Sequence, residues 1–414
     1  MPREITRCRI CESQQLVSLL DLGEQYLTGV FPKSPDEPLT KGPLEIVKCG
    51  GDHSCGLVQL RHSYDSAEMY GANYGYRSGL NRSMVEHLRA KVAKLAALAP
   101  PTNGDLVLDI GSNDGTLLSF HAPELTVVGM DPTAAKFREH YQPHIEVIAD
   151  FFSAASFQAR FGGRKAKIVT SIAMFYDLDE PIKFVEQVAE ILDDDGIWHF
   201  EQSYLPTMLA QNAYDTVCHE HVEYYALQQI KWMTDRCGLK IVDLEINDVN
   251  GGSFAVTVAK AGSSLPEDVA AVSAMLKAEE SQGLDTLRPF EAFRERVFHH
   301  RDKLLATLAE FAQRGEKVLG YGASTKGNVI LQFCGLTTAQ IPAIAEVNPD
   351  KFGKFTPGTR IPIISEEEAH ALNPDYLLVM PWHFRTNLIQ RETAYLQRGG
   401  KLIFPLPEIE IVEK

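Results

Sequence analysis

Three clusters of reactive side chains stand out in the 414 residues. The densest is Tyr214-Asp-Thr-Val-Cys-His-Glu-His-Val-Glu-Tyr-Tyr225. His219, Glu220 and His221 are consecutive, so they cannot all face one way. A histidine beside a carboxylate is a natural general base, since imidazole titrates near neutrality and its neighbours tune it. A hydrogen-bonded structural histidine is the alternative for each. The His-Glu-x-x-His spacing of a zinc hydrolase is missing. The second cluster is Cys8-Arg-Ile-Cys11 with Cys49-Gly-Gly-Asp-His-Ser-Cys55. Two cysteine pairs read as a structural zinc site with ligands Cys8, Cys11, Cys49 and Cys55. The second pair is wider than usual, and His53 inside it is an alternative ligand. The third cluster is Asp109-Ile-Gly-Ser-Asn-Asp-Gly115, which follows the apolar run Leu106–Leu108. Gly111 and Gly115 allow a sharp turn and close approach to a ligand. Asp131, at the tip of the next apolar run, suits the two hydroxyls of a ribose.

The glycine turn is neither the G-x-G-x-x-G of a nicotinamide site nor a phosphate loop. It resembles motif I of the class I S-adenosylmethionine (SAM) methyltransferases, which implies a cofactor site built from Asp109, Gly111, Asn113 and Asp131. Around it strands and helices alternate, as in a doubly wound α/β sheet. Strands are expected at Glu146–Ile148, Ala166–Ile172 and Gly196–Glu201. Helices are expected at about Met84–Leu98, Asp114–Phe120, Ala134–His140 and Pro181–Leu192. Ligands sit at the carboxyl ends of such strands, which singles out the loops Asp150-Phe-Phe152, Ala173-Met-Phe-Tyr-Asp177 and Glu201-Gln-Ser-Tyr204. Asp150 can accept from an adenine amino group, and Phe151 or Phe152 can flank the ring or simply pack in the core. Tyr70-Gly-Ala-Asn-Tyr-Gly-Tyr-Arg-Ser-Gly-Leu-Asn-Arg-Ser83 reads as a binding surface or as an ordinary tyrosine-packing loop. Helical, charged sequence is expected from about Pro266 to Arg314. A second α/β unit follows, with strands at Ile344–Val347 and Tyr376–Met380. It opens on the Gly-rich turn of Lys317-Val-Leu-Gly-Tyr-Gly-Ala-Ser-Thr-Lys-Gly-Asn328, where backbone amides and Lys326 suit a pyrophosphate.

The net charge of −15 argues against a nucleic-acid surface. No apolar run approaches a membrane span, and the N-terminus has no apolar signal core. A cytoplasmic enzyme is expected. Seven cysteines are an odd number, which disfavours a disulfide framework.

Nearly the whole chain resembles the sugar C-methyltransferases of deoxysugar biosynthesis. The resemblance runs from the cysteine pairs and Gly56-Leu-Val-Gln-Leu60, through Tyr76-Arg-Ser78, the glycine turn, His219-Glu-His221 and Asn250-Gly-Gly-Ser253. It ends at Gly320-Tyr-Gly-Ala-Ser-Thr-Lys-Gly-Asn328, Pro357-Gly-Thr359 and Ile361-Pro362. It implies a zinc-binding domain (1–70), a Rossmann-like SAM domain (71–262) and a C-terminal α/β domain that holds part of a nucleotide-linked sugar (263–414). The implied reaction is methylation of a 4-keto-6-deoxy sugar at C3: a base removes the proton beside the ketone, and the enolate takes the methyl of SAM. His221 matches the family's base, Glu220 the neighbouring carboxylate, and Tyr76 a tyrosine lining the sugar site. Tyr176 stands where family members carry a histidine, and Cys218 where they carry a tyrosine. A tyrosine hydroxyl can also donate to an enolate oxygen. The expected site thus comprises His221, Glu220, Tyr76 and Tyr176 for chemistry. Ala173 and the residues named above serve SAM, while Ser78, Asn250, Lys326, Asn328 and Trp382 join Tyr76 on the substrate. Another methyl acceptor, an enolising epimerase and a non-catalytic zinc-and-nucleotide binding module are the competing readings. A monomer or weak homo-oligomer is expected.

Overall fold

The computed structural model describes residues 2–70 and 74–414. Gly71, Ala72 and Asn73 of the tyrosine-rich stretch lie outside the described residues.

The central sheet grows from Leu106–Ile110, whose five residues are all buried. An apolar run of this kind needs cover on both faces, which parallel βα connections provide. Seven strands result, in the order Leu239–Asn247, Ser253–Lys260, Leu192–Ser203, Ala166–Ile172, Leu106–Ile110, Thr126–Met130 and Glu146–Ile148. Only Ser253–Lys260 runs antiparallel to its neighbours. The strand order reverses beside Leu106–Ile110. The crevice beyond its carboxyl end is therefore where a ligand belongs.

Two expected helices shrink to single 3-10 turns, Leu118–Phe120 and Arg138–His140. After Ile110 the backbone takes positive φ at Gly111, Asn113 and Gly115, which breaks a helix before it starts. Tyr141 lies where a Cβ on Gly115 would go, 2.7 Å from its ring. The helix Arg82–Leu98 covers this face instead. Its Met84, Leu88 and Val92 pack with Leu117, Leu118, Val127, Phe137 and Tyr141. The charged stretch after the sheet forms two helices, Val269–Ser281 and Arg288–Gln313.

The N-terminal part is an antiparallel sheet of Leu16–Tyr26, Lys41–Cys49 and Val58–Leu60. Its fourth strand, Glu223–Tyr224, comes from far along the chain and begins two residues after His221. The C-terminal part holds six strands in the order Ile363–Ser365, Ile344–Glu346, Val318–Tyr321, Tyr376–Val379, Lys401–Phe404 and Glu410–Val412, parallel except the last. Among the described residues no helix is long and apolar enough to cross a membrane.

Buried hydrogen bonds hold the three parts together. Asn328 Nδ2 donates to the Thr28 carbonyl at 2.7 Å. Trp382 Nε1 donates to Asp215 Oδ2 at 2.8 Å. Tyr26 N donates to Gln332 Oε1 at 2.8 Å. Where the parts meet they form an open cavity of about 900 Å³.

Candidate active site and zinc centre

The Sγ atoms of Cys8, Cys11, Cys49 and Cys55 all lie within 4.8 Å of one another. Cys8 and Cys55 approach to 3.5 Å and Cys11 and Cys49 to 3.3 Å. Four thiolates about 2.3 Å from one tetrahedral zinc would be separated by roughly 3.8 Å, so the donor set fits that ion. The Cys55 amide donates to Cys11 Sγ at 3.5 Å, as amides commonly do to metal-bound sulfur. His53 is exposed, at a φ of 62°, and stands outside the cluster. The four cysteines therefore form the site without it. The wide loop between Cys49 and Cys55 is accommodated by positive φ at Gly51, His53 and Gly56.

In the central domain the glycine turn is braced by Asp131. Its Oδ2 accepts the Asn113 amide at 2.8 Å, and its Oδ1 accepts the amide and hydroxyl of Thr133 at 2.6 Å each. Oδ1 thus has both lone pairs engaged, while Oδ2 keeps a further one for a ribose hydroxyl. Gly111 has φ 76°, and a Cβ there would stand 3.0 Å from Met174 Cγ. Glycine is required there by both the backbone and Met174. Asp109 lies below the turn, where it accepts from Thr170 Oγ1 at 2.6 Å, and burial raises its pKa to about 7. It supports the turn from inside the sheet. Ala173 holds φ 53° at the end of its strand and lines the cavity. Asp150 and Phe151 are exposed, whereas Phe152 packs edge-on against Phe184. Phe151 is thus the ring free to flank an adenine, and Phe152 serves the core.

Asn113 also ties down the tyrosine-rich strap. Its Nδ2 donates to the Tyr76 carbonyl at 3.1 Å, and its Oδ1 accepts the Ser78 amide at 3.0 Å. Asp114 accepts the Gly79 amide at 3.0 Å and lies 3.7 Å from Arg77. The strap thereby spans from the cofactor turn to the cavity, into which Tyr76 projects with 48% of its surface free. Asn113→Ala should raise the KM for both cofactor and acceptor. Two lost hydrogen bonds of about 0.5–1.5 kcal/mol each, plus an αL position that alanine tolerates poorly, correspond to roughly tenfold or more. Steady-state kinetics with each ligand varied checks this.

The three consecutive residues of the His-Glu-His stretch do diverge. His219 is buried against Tyr64, ring centroids 4.6 Å apart, in the N-terminal part. Glu220 is also buried; its Oε2 accepts from Thr28 Oγ1 at 3.1 Å, and burial raises its pKa. A Cβ on Gly29 would overlap Glu220, so that glycine is required for the carboxyl to fit. His221 lines the cavity and packs at a tilt of 59° against Tyr176, ring centroids 4.2 Å apart. Its Nδ1 lies 3.0 Å from the Thr216 carbonyl. A carbonyl only accepts, so Nδ1 carries the proton and Nε2 the lone pair. Desolvation and the Lys326 ammonium lower the His221 pKa to about 3. The partner that fixes the ring is Thr216, not Glu220, which is turned toward Thr28.

Lys326, Asn250 and Tyr176 all line the cavity with His221. Lys326 Nζ donates to the Asn250 carbonyl at 3.1 Å. Asn328 and Trp382 do not line it: both are buried, and they make the interdomain bonds to Thr28 and Asp215. Beside Trp382, His383 reaches the cavity instead. Thr28, Gly29, Thr216 and Asp177 also belong to the site. Nothing in their local sequence marks them except that Asp177 closes a strand-end loop.

A zinc binding domain family matches residues 8–70, a methyltransferase domain family residues 80–244, and a C-methyltransferase C-terminal domain family residues 248–407. The C-methyltransferase NovU of Streptomyces niveus is 32% identical over 416 residues, spanning 99% of this chain and 97% of NovU. Among solved structures, the plantazolicin methyltransferase BpumL with SAH is 11% identical, with a TM-score of 0.36, over 44% of this chain and 87% of that one. YcgJ of Bacillus subtilis is 16% identical, with a TM-score of 0.32, over 42% of this chain and 98% of that one. The three domain matches follow in order and the likeness to NovU runs end to end, so the chain belongs to this C-methyltransferase family, as a SAM-dependent enzyme on a small-molecule acceptor with a structural zinc site.

Proposed function

We propose that the enzyme methylates a nucleotide-linked 4-keto-6-deoxy sugar at carbon, at C3 beside the ketone, with His221 as the base. The observation that carries this reading is the His221 ring, fixed through Nδ1 and lining the cavity with Nε2 unprotonated. Carbon methylation needs a carbanion, and a ketone is the feature of a sugar that makes a neighbouring C–H acidic enough for imidazole. Asp131, Gly111, Asn113 and Phe151 would hold SAM, with Asp109 supporting the turn. Bound SAM supplies an electrophilic methyl group to the carbanion and leaves as S-adenosylhomocysteine. Tyr176 packs on His221, and its hydroxyl is suited to donate to the enolate oxygen. Glu220 fixes the loop against Thr28. Tyr76 and Asn250 line the acceptor side, whereas Ser78 does not line the cavity and is held by its amide on Asn113.

Lys326 suits the diphosphate that joins sugar to nucleoside. Its charge now depresses His221. An anion beside Lys326 would offset that charge, so the base would strengthen when the acceptor arrives. The parts at 1–70, 71–262 and 263–414 divide the work: the first buttresses the His221 loop, the second carries SAM and base, and the third closes the cavity over the nucleotide.

In the free enzyme His221 is unprotonated well below its ordinary pKa. Its protonation should therefore leave no break in kcat/KM near pH 6.5. An acid limb with an apparent pKa near 6.5 that vanishes in a His221 variant would contradict this electrostatic setting. Mass spectrometry of the enzyme with SAM and a panel of nucleotide-linked ketosugars tests the acceptor class. A gain of one methylene that survives mild hydrolysis supports it. No gain, with SAM binding intact, points to another acceptor.

A further inference from the structure

We infer that Asp177 is a second catalytic group, a carboxyl that hydrogen-bonds the acceptor's carbonyl oxygen as the enolate forms. This rests on the ketosugar reading above. Asp177 sits on the 3-10 turn Phe175–Asp177, at the carboxyl end of the strand Ala166–Ile172. That turn is tied to the base-bearing loop, because the Val222 amide donates to the Tyr176 carbonyl at 2.9 Å. Asp177 and His221 thus line one wall of one cavity. Tyr70 donates its hydroxyl to Asp177 Oδ2 at 2.7 Å. Oδ1 is buried without a hydrogen-bond partner among the described residues. A buried carboxyl oxygen left unpaired, on a residue that lines a ligand cavity, calls for a partner.

The protonation state decides what that oxygen does. An ionised Asp177 would repel a developing enolate. Desolvation, with the nearby Glu220 carboxyl adding to it, holds the Asp177 pKa well above the carboxylate range, while the bond from Tyr70 opposes this less strongly. Oδ2 accepts from Tyr70, so the proton rests on Oδ1, the unpaired oxygen. The step balances simply. His221 Nε2 takes the proton from the carbon beside the ketone. The C–H electron pair becomes the C=C bond, and the carbonyl π pair moves onto oxygen, where the Asp177 Oδ1–H bond strengthens. A preorganised donor of this kind is worth roughly 10²–10³ in rate.

The test is exchange of solvent deuterium into the acceptor in the presence of S-adenosylhomocysteine, which reads enolisation apart from methyl transfer. The probe is a nucleotide-linked 4-keto-6-deoxy sugar that the wild-type enzyme methylates. Asp177→Ala should exchange roughly 10²–10³-fold more slowly with little change in acceptor KM. Asp177→Asn, whose amide can still donate, should stay within about tenfold of wild type. S-adenosylhomocysteine affinity by calorimetry verifies that each variant is folded, and the isosteric Asn variant keeps the test valid should the Ala variant fail. Wild-type exchange with an equally fast Ala variant, or an Asn variant as slow as Ala, would overturn the role of Asp177 alone. Finding neither exchange nor methylation of any such sugar by the wild type would overturn the ketosugar reading and this role with it.

Discussion

His221→Ala should lower kcat by roughly 10³–10⁴, about 4–5.5 kcal/mol of transition-state stabilisation, while SAM binds with unchanged affinity. The two effects separate because the residues that serve them are separate. In the proposed site SAM rests on the turn braced by Asp131, on one side of the crevice. The base is oriented by the Thr216 carbonyl and backed by Tyr176. Removing the imidazole leaves the cavity wall standing, because the neighbouring strand Glu223–Tyr224 stays paired with Val58–Leu60. Calorimetry for SAM and single-turnover kinetics for methyl transfer measure the two effects. A variant with turnover near wild type would remove His221 as the base. A variant that also loses SAM would mean that His221 shapes the cofactor site.

Cys8→Ser should cost bound zinc and stability first and chemistry second. Zinc binding contributes roughly 10–16 kcal/mol of apparent free energy in small zinc-dependent peptides. Here the N-terminal sheet has further support from its bonds to Gln332, Asn328 and Glu220, so only part of that is at risk. A loss of about 5 kcal/mol, at roughly 2–4 °C per kcal/mol, lowers Tm by about 10 °C or more. Activity should fail later on heating, because Cys8 touches neither Asp131 nor His221. It should fail all the same once the sheet loosens, since its edge strand begins two residues beyond the base. Metal content and a melting curve on the same sample decide the matter. Full zinc with an unchanged Tm would contradict the assignment of Cys8 as a ligand.

Features made by neighbours in sequence were legible before the fold was known. The buried run Leu106–Ile110 and the positive-φ glycine turn after it form where the sequence places them, because backbone conformation and strand periodicity are local properties. The strands Glu146–Ile148 and Ala166–Ile172 fall where alternation and apolar runs place them. The cysteine pairs announce their metal through spacing alone. Features made by distant partners were not legible. Trp382 and Asn328 look like ligand contacts beside their strand ends, yet they meet partners 167 and 300 residues away that make them interdomain ties. The missing helix after the glycine turn has the same cause, since Tyr141 and the helix Arg82–Leu98 already fill that face. Glu220 reads as the partner of His221 by adjacency. In the fold the peptide turns it toward Thr28, and a backbone carbonyl that no motif could flag takes its place.

The most direct test of carbon methylation through a His221 base is transfer from SAM labelled with ¹³C in the methyl group. The acceptor is a nucleotide-linked 4-keto-6-deoxy sugar, and the product is read by carbon–carbon coupling in NMR. The expected result is a labelled methyl bonded to C3, formed by the wild type and absent with His221→Ala. A label on oxygen or nitrogen, or equal labelling by the His221 variant, would contradict it. A label on C5, the other carbon flanking the ketone, would keep the enolate and the base but refute C3 as the position.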